Sequence, residues 1–178
     1  MKHTLYIIIA SFLAFSCTSH FTEEIKQMEE MQKKVAEAKI EFDAIDINKV
    51  AVAKDQYTSD ITVFKHKYKP DTIDQAQAQL VNHYKYIKSG AKIVLGKYAN
   101  IKNDLEISES QLEKLIYDME HNLGTPEEIN KYVEAERVRG AEVVSNVRQM
   151  KIAHDKMIQI YDSLSPEITI IVDSLKRL

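Results

Sequence analysis

Little in this chain can break a helix or cross-link a fold. Its 178 residues hold one cysteine, four glycines, three prolines and no tryptophan. A single thiol excludes an internal disulfide, and it excludes the paired cysteines of a c-type haem. So few chain-breakers argue against many short strands and tight turns, and for long helices. Neither sign of charge dominates. There are 24 basic and 27 acidic side chains, a net charge of −3, which does not mark a partner of nucleic acid. No apolar run reaches the roughly 20 residues that a transmembrane helix needs.

What is present begins with an address. Lys2 and His3 precede an apolar run from Leu5 to Ala14, followed by Phe15, Ser16 and Cys17. A basic start, about ten apolar residues and a small residue before the cut describe a secretory signal. A lone thiol is an odd choice for an exported protein, and lipidation accounts for it. The stretch Leu13-Ala14-Phe15-Ser16-Cys17 resembles the signal of bacterial lipoproteins, in which a small residue precedes the cysteine that receives diacylglycerol. The resemblance implies a signal peptide over 1–16 and a single helical domain over 17–178, anchored through acyl chains of the palmitate kind on Cys17. Each buried methylene contributes ~0.8 kcal/mol, so several chains hold permanently. Thr18 and Ser19 supply no aspartate after Cys17. By analogy with enterobacterial sorting, that places the protein on the outer membrane, facing the periplasm.

Two breaks divide the mature chain. One is Lys69-Pro70-Asp71-Thr72, where proline disfavours helix at the residue before it. The other is Asn122-Leu123-Gly124-Thr125-Pro126-Glu127-Glu128. Gly124 suits a left-handed helix end. Thr125 and Glu128 form a capping box around a proline at the first helical position. A hesitation at Asp43 to Asn48 and a candidate internal cap at Ser108 with Gln111 are weaker signals. Ser165-Pro166 predicts a kink or restart capped by Ser165.

Each piece carries an apolar stripe at spacings of three and four. The first runs through Met28, Met31, Val35, Ala38 and Phe42, then Val50, Ala53, Tyr57, Ile61 and Phe64. The second includes Leu80, His83, Ile87, Ala91 and Val94, and ends on Leu115, Met119 and Leu123. The third is the most regular, with Ile129, Val133, Glu136, Gly140, Val143, Val147, Met150, His154 and Met157. A sustained seven-residue repeat implies left-handed packing of neighbours. The expected fold is all-α: an elongated antiparallel three-helix bundle with coiled-coil-like packing. A compact bundle of five or six shorter helices is the alternative.

Signatures of chemistry are sparse. No Gly-rich phosphate loop, serine elbow or Glu-x-x-His pair is present, so an enzyme is not expected. Met150, His154 and Met157 share a face, and those donors suit reduced copper. Methionines at helical spacing usually fill core gaps instead, so no metal or other cofactor is assigned. Glu136, on a seam, is expected to meet a cation across the bundle or to reach the edge. Lysines concentrate in the half of the domain far from Cys17, and Lys85, Lys88 and Lys92, with Tyr84 and Tyr86 among them, form a candidate partner-binding region. A basic tip would attract a polyanion or an acidic envelope protein. The chain is therefore expected to be a membrane-anchored interaction or scaffolding module of the cell envelope. A periplasmic bundle that binds a metal or small ligand is the alternative.

Overall fold

A computed structural model describes residues 20–67 and 74–177. Cys17, the expected break at Pro70 and the terminal Leu178 lie outside these residues. Every regular element among them is a helix. Helix α1 spans Thr22–Asp43, α2 Ile47–Lys67, α3 Gln75–Tyr84, α4 Tyr86–Glu120 and α5 Pro126–Lys176. At 1.5 Å per residue, α5 is roughly 75 Å long. No helix among the described residues is long and apolar enough to cross a membrane.

Local chemistry places the helix ends. At the α4–α5 turn Gly124 takes φ +100°, beyond the reach of most side chains, and Asn122 also turns left-handed at φ 52°. The Thr125 side chain accepts the Glu128 backbone N–H, and the Glu128 carboxylate accepts the Thr125 N–H at 3.0 Å. Pro126 follows at the first helical position. The hesitation after Asp43 is a true break. Asp46 Oδ1 accepts the Lys49 N–H at 2.9 Å, starting α2. Asp74 and Gln77 form a second capping box at the start of α3. Lys85 alone separates α3 from α4 and keeps a right-handed backbone, φ −59° and ψ −20°.

Packing follows the stripes. Helices α1, α2 and α3 all pack against both α4 and α5, except that α4 meets α3 as its continuation. Gly90 of α4 lies against Met157 of α5, and the Arg139 guanidinium donates to Gln111, so α4 and α5 run antiparallel. Phe42 stacks on Tyr98 with ring centroids 4.6 Å apart, and Tyr57 meets Tyr84 at 5.6 Å. The α1–α2 arm therefore runs opposite to α3–α4. Met31 lies beside Gly140, and Lys49 pairs with Asp162 at 2.8 Å, so that arm runs with α5. The His20 N–H donates to Asn122 Oδ1 at 3.2 Å, which fastens the start of α1 to the α4–α5 turn.

Four expectations are corrected by packing. Helix α4 runs unbroken through Ser108, which is fully buried between Leu105 and Leu112, so Ser108 caps nothing. Helix α5 is continuous through Pro166 and does not restart at Ser165. Proline costs about 3 kcal/mol inside a helix. Burial of Ile168, Ile171, Val172 and Leu175 beyond it offsets that and keeps the phase. His83 is exposed, and its place in the core is taken by Tyr84. Leu123 is half exposed, because the left-handed turn at Asn122 carries it off the stripe.

Candidate functional site

The basic region folds into a groove between α2 and the α3–α4 arm, with a volume of about 720 Å³. On α2, Lys54, Thr58, Ile61 and Lys65 recur at steps of four, three and four, so they share one face. On the opposing arm Lys85, Lys88, Lys92 and Gly96, at steps of three, four and four, also share a face. Tyr57, Ile61, Ala91 and Leu95 make an apolar floor. The Thr58 and Thr62 hydroxyls donate to backbone carbonyls of Lys54 and Thr58, each at 2.8 Å, and so are satisfied within α2. The result is an apolar channel with a cationic rim.

That rim is uncompensated locally. All five lysines are exposed, and among the described residues no acidic one lines the groove. Among the described residues no carboxylate lies within ion-pair distance of Lys54, Lys65, Lys85, Lys88 or Lys92. Lys85 makes only a long contact of 3.5 Å to Asn82 Oδ1. Like charges held side by side raise the local potential and favour an anionic partner.

Three of the five candidate residues thus come together on the groove, and two do not. Tyr84 is fully buried, and its hydroxyl donates to Asp60 Oδ2 at 3.0 Å. It belongs to the core and is not available to a partner. Tyr86 turns toward α5, where the Lys156 ammonium sits 4.4 Å above its ring. Lys54, on α2, was missed by sequence reasoning, although its spacing to Lys65 matches that of Lys85 to Gly96. Asp60 was missed too. It lies one place before Ile61 of the stripe, and only its buried tyrosine and Gln56 partners account for it.

Asp60 is 2 % exposed. Burial raises its pKa above the usual carboxylate range, although hydrogen bonds from Tyr84 and Gln56 and the charge of Lys176 oppose that shift. Tyr84 is pushed far upward, first by burial and then by the Asp60 charge. Burial also raises Tyr57, so a buried polar cluster underlies the groove floor.

Elsewhere, Met150 and Met157 are fully buried and flank His154, itself 7 % exposed. His154 Nδ1 lies 2.8 Å from Asp155 Oδ1, while its Nε2 is buried with no hydrogen-bond partner. Among the described residues no group of three His, Cys, Asp or Glu side chains is arranged to hold a metal. Glu136 is buried, as its seam position requires. Its cation comes from its own helix: Arg139 pairs with Oε1 at 3.1 Å, one turn along, and Oε2 has no partner. No family model, curated protein or solved structure matches this chain, so no relative lends the groove a ligand.

Proposed function

We propose that this chain is a lipoprotein of the bacterial cell envelope, held by lipidated Cys17, that carries a cationic groove outward to an acidic partner. Its helices make an elongated antiparallel three-helix bundle with coiled-coil-like packing. Support for the bundle is the set of paired contacts along α1–α2, α3–α4 and α5, together with the single long helix α5. Support for the address is the leader and the solitary cysteine. The chain enters its first helix beside the α4–α5 turn, at the His20–Asn122 contact. The groove flanks the Gly90–Met157 crossing. Counted along α5 from Pro126, that crossing stands roughly 45 Å from the anchored end.

The observation that carries the proposal is the rim of five lysines over an apolar floor, with no acid in the lining among the described residues. The test is to reverse Lys85, Lys88 and Lys92 to Glu in the full chain and crosslink in intact cells. A scaffold acting through this groove loses a specific crosslinked partner while its circular dichroism is unchanged. An identical set of partners would remove the groove from the function.

A periplasmic metal- or ligand-binding bundle is the second reading. Its specific observation is the buried, unpartnered His154 Nε2 between Met150 and Met157. Metal analysis of the purified chain, with and without His154→Ala, separates the two.

A further inference from the structure

The chain places glycine inside helices at three positions, and two of them have an internal cause. A Cβ on Gly90 would come 2.8 Å from Met157 Cβ, so glycine lets α4 and α5 approach closely there. A Cβ on Gly140 would come 2.6 Å from Met31 Sδ, where α1 crosses α5. Both glycines therefore mark a helix-on-helix contact. Gly96 does not. A Cβ there would meet nothing within 4 Å, because Gly96 opens onto the lysine-rimmed groove. Glycine weakens a helix interior, and it is used where another backbone must come near. Among the described residues, no backbone comes near Gly96.

We infer that the groove seats an acidic amphipathic helix of a partner protein, crossing α4 at Gly96. This rests on the proposed groove function and names the kind of element the groove accepts. Three features select a helix over other anions. The lysines line both sides of the groove, two on α2 and three on the opposing arm. An anion with one head group would use one or two of them, whereas a helix with carboxylates on both flanks would meet all five. The floor of Tyr57, Ile61, Ala91 and Leu95 matches an apolar stripe between such flanks, and a uniformly charged polymer has no such stripe. Gly96, on the rim face of α4, leaves open space where an incoming backbone can approach. This is helix-in-groove recognition, with apolar anchors at spacings of three and four.

The test uses the full chain and two synthetic peptides of identical composition. One arranges leucines at helical spacing with glutamates on both flanks. The other scrambles that order. The patterned peptide should bind saturably, become helical on binding and weaken as salt rises, while the scrambled peptide should bind far less. Gly96→Leu should cut affinity by about tenfold or more, equivalent to about 1.4 kcal/mol. Gly96→Ala should have a smaller effect in the same direction. A melting curve checks both variants, and open space at this position predicts no loss of fold. Equal binding of the two peptides, absence of saturable binding below about 1 mM, or full affinity in Gly96→Leu would each overturn the inference. Loss of a cellular crosslink in the lysine-reversal variant, with none in Gly96→Leu, would keep the groove as a basic docking site and reject the helix. If a second copy of this chain competes for the site, the partner is the protein itself, and the inference falls.

Discussion

The Tyr84 hydroxyl donates to Asp60 Oδ2 at 3.0 Å, joining α3 to α2 through two side chains that are both almost wholly buried. This one bond settles why Tyr84 takes the core position that the stripe offers to His83. It also gives a buried carboxyl a partner, which softens but does not cancel the cost of burying its charge. The folded protein consequently holds the Asp60 proton more tightly than the unfolded chain does.

A pH dependence follows, opposite in sign to that of an ion-paired aspartate. The folded value lies above the unfolded one of about 3.9. Asp60 therefore adds most stability below that pH, and its contribution falls as pH rises through the window up to the raised folded value. Each unit of elevation corresponds to about 1.4 kcal/mol. Asp60→Asn removes the titrating proton and keeps an oxygen for Tyr84. In urea unfolding between acidic and neutral pH, the variant should gain on the unaltered chain as pH rises. Tyr84→Phe should steepen the decline, because it removes a bond that favours the carboxylate. A constant difference between Asp60→Asn and the unaltered chain across that range would show that Asp60 titrates alike in both states.

Helix class, the Gly124 turn and nearly every buried position of α5 were legible in the sequence, because they rest on local rules. Capping chemistry at Thr125 and Glu128 needs only adjacent residues, and the α5 stripe reports burial directly. The misreadings share a different cause. Ser108 and Ser165 look like caps locally, yet neighbouring helices bury the residues around them and keep the helix going. The groove was half legible. Lys85, Lys88 and Lys92 stood out by density, but Lys54 lies on another arm, and only folding brings the two rims together. Gly96 carried no signal at all, since its meaning lies in the empty space beside it.

The three helical glycines should separate on mutation to alanine. At Gly90 the new Cβ meets Met157 Cβ, which is fixed to its backbone, so the α4–α5 crossing must open. Such overpacking costs about 1–3 kcal/mol. At Gly140 the obstacles are Sδ and Cγ of Met31, which belong to a flexible side chain and can turn aside where the Met157 Cβ cannot. That change should cost less than the one at Gly90. At Gly96 nothing obstructs, and alanine should stabilise by roughly 0.5–1 kcal/mol through helix propensity. Chemical unfolding of the three variants gives the order directly. A loss at Gly140 as large as at Gly90 would mean that Met31 is locked in place.

The address can be tested apart from the groove. Cys17→Ser removes the thiol that lipidation requires, and no other cysteine can replace it. The expected result is release from the membrane fraction, or accumulation of unprocessed chain with its leader attached. None of the described helices is long and apolar enough to span a bilayer in place of that anchor. Nor would the surface near the entry point favour lipid. The first turn of α1 carries Glu23 and Glu24, which anionic head groups repel, and Lys26 only partly offsets them. Fractionation should therefore move most of the protein, not a minor share. Circular dichroism and a melting curve on the released chain should match those of the anchored form. A Cys17→Ser protein that is processed normally and still pellets with membranes would end the lipoprotein reading, while leaving the lysine groove to be judged on its own experiments.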